Sequence, residues 1–378
     1  MKHFSTILLL AILIGSLSGC KKDPEVENSS SETLIGGEFN FNHGYNTLCQ
    51  TSDGGFVIAA PVGDRMIYVA KLNLNFDVIW QKSFGSLIFD VGGIIESSDQ
   101  NYVLVCNYYD TTTHPTGRFI DLIKISGSGD LLWDKKYRFR YLYEKGFAIR
   151  ETEDQGFIIT AAHDEWEAQG VHFIELLKVN SAGDSLWSRD FPEYRNTNGH
   201  DIQITPDNGF ITVGDFVILK TDSEGIEQWG QKLPKTRLTN VRVLPDGSYI
   251  ACGDKVVGTT SSSNTLDFIL MKFDANGNVL WEKLYDVNNH DWGGNLCLAP
   301  DGGFVFSGTT EFETSLALQP VIFKTDFNGN TVWMNGITVG NICEPRGLVY
   351  ADDHYIYYGA TTIVFGLQYY LMLLNFTI

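Results

Sequence analysis

Five carboxylates, Asp90, Glu144, Asp201, Asp291 and Glu344, stand at the entrances to apolar strand patterns. Carboxylates that converge on one axis can hold a hard cation. Related places in the same frame carry Asn46 and Asn240, so the set is incomplete and the expectation is no metal ion. The chain's 8 histidines are scattered without an H-x-x-x-H pair, no Ser sits in a G-x-S-x-G elbow, and no Gly-rich loop leads into a helix. His114, His200 and His290 fall near variable segments, but nothing in the spacing links them to a nucleophile. No catalytic residue is read, and a binder is expected before an enzyme. A carboxylate pair acting on a glycosidic bond is spatial, so spacing alone leaves it open. The remaining chemistry is aromatic. Trp166, Trp292, Tyr108, Tyr109 and Tyr194 fall outside the repeated frame described next. Exposed rings there could stack on sugars or anchor a protein, or could pack on neighbouring loops.

These residues are spaced by a repeat. A Trp follows a turn Gly by four residues in Gly129/Trp133, Gly183/Trp187, Gly225/Trp229, Gly277/Trp281 and Gly329/Trp333, and Trp80 stands in the same frame with Phe76 replacing the Gly. The intervals from Trp80 through Trp133, Trp187, Trp229, Trp281 and Trp333 are 53, 54, 42, 52 and 52. A second phrase answers each Trp: Asp53–Phe56, Asp154–Phe157, Asp207–Phe210, Asp246–Tyr249 and Asp301–Phe304, with weaker copies at Asp99–Tyr102 and Asp352–Tyr355. A period of about fifty residues signals a propeller or solenoid. Each repeat offers four short strands of alternating pattern joined by Asp-Gly-Gly and Asn-Gly turns, whose residues tolerate positive φ. Four antiparallel strands per repeat make a propeller blade, with the Trp expected in the outer strand, wedged between blades.

The Asp222…Gly225…Trp229, Asp274…Gly277…Trp281 and Asp326…Gly329…Trp333 triplets resemble the docking motif of the quinoprotein-like propeller superfamily. The resemblance implies the fold across nearly the whole chain. The quinone enzymes of that superfamily use further residues, including adjacent cysteines; no Cys-Cys pair exists here, so no cofactor is expected. The last repeat supplies strands near 347–351, 354–361 and 368–376 and lacks a fourth, while a surplus strand, Leu34–Asn42, precedes the first repeat. The expected fold is therefore all-β: a seven-bladed β-propeller of four-stranded antiparallel blades, closed by the N-terminal strand completing the last blade. Closure would leave no free sheet edge at the joint.

With strands a to d counted from the axis, the a–b and c–d turns fall on one face and are short. The b–c and d–a connections fall on the other and vary: Tyr108–Arg118, Asp164–Val171, Gly258–Leu266 and Glu311–Pro320 are long, and Gly214-Asp215 is almost nothing. Loops that vary on a constant scaffold are where binding sites usually lie. The five aromatics and the five carboxylates are expected on this face, the carboxylates in the d–a connections at the channel mouth.

The termini and charge set the address. Residues 1–19 combine Lys2 with the apolar stretch Ile7–Ile14, and Leu17-Ser18-Gly19-Cys20 resembles the lipobox of bacterial lipoproteins, with the following Lys-Lys-Asp typical of Bacteroidota. The resemblance implies a signal peptide over 1–19, a diacylglycerol on the Cys20 sulfur and attachment to a membrane. Residues 20–33 read as a polar tether and 34–378 as one domain. The address implied is the cell envelope, as an outer-membrane lipoprotein that could reach the surface. The other five cysteines are an odd number without C-x-x-C, which reads as buried thiols rather than a disulfide framework. A net charge of -19 argues against nucleic acid as a partner. The function expected is a non-catalytic module binding a protein or glycan. The alternatives are a glycan-acting hydrolase or lyase, a degenerate quinoprotein, or a structural envelope protein without a specific ligand.

Overall fold

A computed structural model describes residues 30–37, 47–62, 65–110, 117–138, 143–164, 172–258, 265–288, 290–311, 318–337, 342–351, 354–363 and 368–376. All regular structure among them is strand. After β1 (Ser30–Gly37) come three separate four-stranded antiparallel sheets. The first holds β2 (Leu48–Gln50), β3 (Phe56–Val62), β4 (Met66–Leu72) and β5 (Val78–Phe84). The second holds β6 (Ile88–Glu96), β7 (Tyr102–Asp110), β8 (Gly117–Ile125) and β9 (Leu131–Tyr137). The third holds β10 (Glu144–Glu151), β11 (Phe157–Asp164), β12 (His172–Val179) and β13 (Ser185–Arg195).

The remaining strands are linked into one 14-stranded sheet that includes β1. They are β14 (Gly199–Ile204), β15 (Phe210–Thr221), β16 (Glu227–Val243), β17 (Tyr249–Val256), β18 (Leu266–Phe273), β19 (Val279–Tyr285), β20 (His290–Leu298), β21 (Phe304–Glu311), β22 (Leu318–Thr325), β23 (Thr331–Gly336), β24 (Ile342–Ala351), β25 (His354–Ile363) and β26 (Gln368–Phe376). Its links are thin. The parallel joins β18–β20 and β22–β24 are single pairs, Leu266↔His290 and Leu318↔Ile342. The early half of β16 pairs β15 and its late half pairs β17. β1 pairs antiparallel with β26, Leu34 opposite Met372. The strand expected over Leu34–Asn42 thus runs over Ser30–Gly37, and the tether expected to end at residue 33 gives up its last residues to that pairing.

Turn chemistry explains the repeat. Asp274 Oδ1 accepts from the backbone N–H of Asn276 at 2.9 Å and of Asn278 at 2.8 Å, and Gly277 takes φ 83°, which a Cβ would resist. The second phrase closes the other turn: Asp53 Oδ1 accepts from Gly55 N at 3.0 Å and from Thr51 Oγ1 at 2.6 Å. The expected alternation holds only in outer strands such as β9 and β19. Strands β3, β7 and β17 are buried along nearly their whole length, because neighbouring sheets stack on both their faces.

The two phrases meet across those stacks. Trp80 lies 6.0 Å from Tyr102 between ring centroids, Trp133 6.5 Å from Phe157, Trp187 6.3 Å from Phe210, Trp229 6.1 Å from Tyr249 and Trp281 6.3 Å from Phe304. Each Trp also covers the turn Gly of the following repeat: a Cβ on Gly129 would come within 2.9 Å of Trp80, and one on Gly277 within 2.5 Å of Trp229. Trp80 Nε1 donates to Gly127 O at 2.9 Å, Tyr285 Oη to Gly329 O at 2.6 Å, and Tyr137 Oη to Gly183 O. One joint is different. In β1 the register position of the Trp is Ser31, opposite Asn375. Phe76 holds the first repeat's Gly position at φ 64° and is only 5% exposed, with its ring 5.7 Å from Phe56. Ile356 of β25 packs into the same cluster as Phe56 and Phe76.

Candidate functional site

Each end of the sheets was expected to do something different, and their polar groups differ accordingly. At the short-turn end, a buried Lys from the third strand of a repeat reaches the Asp of the second phrase: Lys71–Asp53 and Lys124–Asp99 at 2.7 Å, Lys178–Asp154 and Lys220–Asp207 at 2.9 Å, Lys324–Asp301 at 2.8 Å and, more loosely, Lys272–Asp246 at 3.9 Å. The hydrogen bond from Lys71 pulls the Asp53 carboxyl down to about 2. At Asp154 and Asp207 the desolvating effect of burial is outweighed by bonds from Thr152 and Lys178, and from Thr205 and Lys220, and both also fall to about 2. These ion pairs close the turns.

At the other end, the aromatics expected in connections mostly lie in strands. Tyr108 is buried in β7, its ring 5.6 Å from Phe119; Tyr109 beside it is half-buried. Tyr194 is buried in β13 and donates to Glu227 Oε1 at 2.7 Å, tying one repeat to the next. Trp292 is half-buried in β20, with its ring 5.6 Å from His290. Trp166 lies outside the described residues. The strands run further than their hydrophobic patterns suggest, because pairing continues past the last buried residue, as at Asp110↔Gly117.

The carboxylates are also in strands rather than connections. Asp90, Glu144, Asp201 and Asp291 are buried, and the Glu344 side chain lies outside the described residues. Asp90 pairs with Lys145 of the next repeat at 2.7 Å. Asp201 is held between Arg150 of the preceding repeat at 2.6 Å and Arg242 of the following one at 3.1 Å. Asp291 accepts from Thr310 Oγ1 at 2.6 Å and Val287 N at 2.9 Å, and burial raises its carboxyl to about 6. Asp90, Asp201 and Asp291 are thus each taken up by cations, a hydroxyl or a backbone N–H. Among the described residues no three of them bring ligand atoms together.

What does converge at this end is a set that spacing did not reveal. His200 Nε2 and Asp215 Oδ1 share a hydrogen bond at 2.9 Å, and Asn198 Nδ2 donates to Asp215 Oδ2 at 2.8 Å. Burial would raise Asp215, but the charge and hydrogen bond of His200 outweigh it and hold the carboxyl well below the usual range. Arg237, whose charge also acts on Asp215, donates through Nε at 3.0 Å and Nη2 at 2.5 Å to Asp254 Oδ2, which accepts from Gly293 N at 3.1 Å as well. The network thus runs from β14 and β15 through β16 and β17 to β20, whose Trp292 adjoins Gly293. Next to Asp215, Phe216 adopts φ 61° and is 44% exposed. A bulky residue in the left-handed region is unusual. The overlooked signal was a repeat within the repeat: Gly214-Asp215 follows Phe210 as Gly253-Asp254 follows Tyr249.

No protein-family model matches the sequence, and no curated protein matches it. Solved structures do. The WD40 domain of Neurospora crassa Pan2 superposes with a TM-score of 0.52 at 8% identity, covering 87% of this chain and 89% of that one. A protein of unknown function from Dyadobacter fermentans DSM 18053 matches with a TM-score of 0.52 at 10% identity over 92% and 98% of the two chains. BBS1N, solved in complex with ARL6DN, gives 0.52 at 8% identity over 90% and 96%. At these identities the likeness is one of fold: four-stranded antiparallel sheets repeated in a propeller-like array.

Proposed function

We propose that the chain is a lipid-anchored envelope protein whose seven-bladed propeller binds a protein or glycan, without catalysis, through the loop face at its fourth to sixth blades. The count of seven is supported by reading β14, the two halves of β15 and the early half of β16 as one blade, and the late half of β16 with β17–β19 as the next. β20–β23 and β24–β26 with β1 follow. Closure by β1 is supported by its pairing with β26 and by the packing of Ile356 against Phe56. The anchor rests on Cys20 in its lipobox-like context.

The observation that carries the binding role is Phe216. It is an exposed aromatic in a strained backbone conformation, beside a half-buried Asp215 whose two carboxylate oxygens both accept hydrogen bonds. Strain of about 1–2 kcal/mol at a bulky residue is commonly kept where it presents a side chain. Phe216 offers a ring beside one end of the polar network and Trp292 a second, half-buried ring next to Gly293 at its other end, residues that suit sugar stacking or a protein anchor. The test is a glycan array and an envelope-protein crosslinking screen on the full chain, comparing wild type with Phe216→Ala and Trp292→Ala. A ligand lost in both variants at unchanged melting temperature supports the reading. A ligand bound equally by both variants places the site elsewhere. Palmitate labelling that persists in Cys20→Ser would sink the anchor.

A further inference from the structure

The third sheet carries a polar group that the loop-face reading does not use. His163 in β11, Glu175 in β12 and Asp190 in β13 bring His163 Nδ1 to 3.6 Å from Glu175 Oε2 and 3.7 Å from Asp190 Oδ1. The ligand atoms of all three lie within 4.8 Å of one another, and among the described residues no other group of three or more His, Cys, Asp or Glu does so. Backbone register puts them there. Glu175 is directly opposite both Ala161 and Asp190, and His163 is two residues along from Ala161, so all three side chains share one face.

Two carboxylates opposite each other across an antiparallel pair repel. One of these, Glu175, is 2% exposed, and its Oε2 accepts no hydrogen bond. The neighbouring sheet shows how the same place is otherwise handled. There the buried carboxyl is Asp121, opposite Lys136 in β9, whose Nζ lies 3.2 Å from it. Asp190 takes the position of Lys136, each three residues beyond the Trp of its repeat. The third sheet has therefore exchanged its built-in cation for a second anion and added an imidazole.

We infer that His163, Glu175 and Asp190 bind a divalent transition-metal ion of the zinc class, with its remaining coordination position open toward solvent at Asp190. One borderline imidazole nitrogen with two carboxylate oxygens suits Zn²⁺, Co²⁺ or Mn²⁺ rather than Ca²⁺, which wants six or more oxygens. Ligands about 2.1 Å from a tetrahedral ion lie about 3.4 Å apart, close to the 3.6 and 3.7 Å that separate His163 from the two carboxylates. Asp190, its side chain 36% exposed, supplies the way in.

The full chain, stripped with chelator, would be titrated with ZnCl₂ by calorimetry, and with CoCl₂ for visible absorption. One equivalent is expected to bind, with Co²⁺ giving a ligand-field spectrum. Glu175→Gln and Asp190→Asn should each weaken binding by about tenfold or more, while Asp121→Asn leaves it unchanged. If Glu175→Gln fails to fold, Asp190→Asn, at a half-exposed position, decides alone. No binding, or binding that both ligand variants retain, overturns the proposal.

Discussion

The two ends of the blades follow opposite rules. At the short-turn end one device recurs from joint to joint, except at β1: a Lys paired with a turn Asp, and a Trp laid over the next repeat's Gly. At the loop end the partners change from blade to blade, from Lys145 on Asp90 to two arginines on Asp201 and His200 on Asp215. Uniform polar groups serve packing, and they are spent on it. Non-uniform ones can be arranged for something outside the molecule, and the strained, exposed Phe216 appears only at that end.

Removing a shared part from the uniform end should have the largest effect. Trp281→Ala uncovers Gly329 and abandons Phe304, and should cost about 3 kcal/mol, read as a lowered urea midpoint. The two positive-φ phenylalanines then separate packing from display. Phe76→Gly relieves the backbone but empties the space beside Phe56, with a net loss of about 2 kcal/mol; Phe216→Gly should stay within about 0.5 kcal/mol of wild type. Equal losses from the two would erase the distinction between the ends.

Titration sharpens it further. Burial and the adjacent Asp134 raise Asp121 to about 8 against the pull of Lys136, above the 3.8 of an unperturbed Asp. A raised folded pKa means that its stability contribution is complete below about pH 4 and is lost as pH rises toward 8. Asp121→Asn should therefore gain about 2 kcal/mol relative to wild type at pH 9 and little at pH 4. Asp53, Asp154 and Asp207 shift the other way, so what they contribute is present above pH 4 and lost as pH falls toward 2. Lys178→Ala should flatten that acid limb slightly and cost about 1 kcal/mol at neutral pH, since the carboxylates are largely exposed. An unchanged acid limb would mean that the Lys–Asp pairs are ornamental.

The repeat was legible because turns and joints use special residues: Gly for positive φ, Trp for the wedge, Asp for the cap. The Lys nine residues before each Trp, from Lys71/Trp80 to Lys324/Trp333, is equally regular but drew no reading, because a Lys at a strand end is ordinarily just a solvated charge. Residues 108, 194 and 292 were placed in loops because strand ends have no sequence mark when the flanking residues are themselves apolar or aromatic. The pairing of His200 with Asp215, and of Glu175 with Asp190, depends on which residues face each other across strands. A register bulge such as that between Asp215 and Val217 resets this without trace in the spacing.

Phe76 has a consequence in time. β1 leaves the ribosome with the first part of the chain, yet its partner β26 is among the last strands made, so Ser30 must wait for Phe376. In the other repeats, Phe or Tyr of the second phrase is covered by a Trp already synthesised upstream. Phe56 has no such predecessor. Its cover is supplied twenty residues later by its own sheet, from a turn that tolerates strain to do it. The first sheet can therefore shield its aromatic during the interval in which its neighbour does not yet exist.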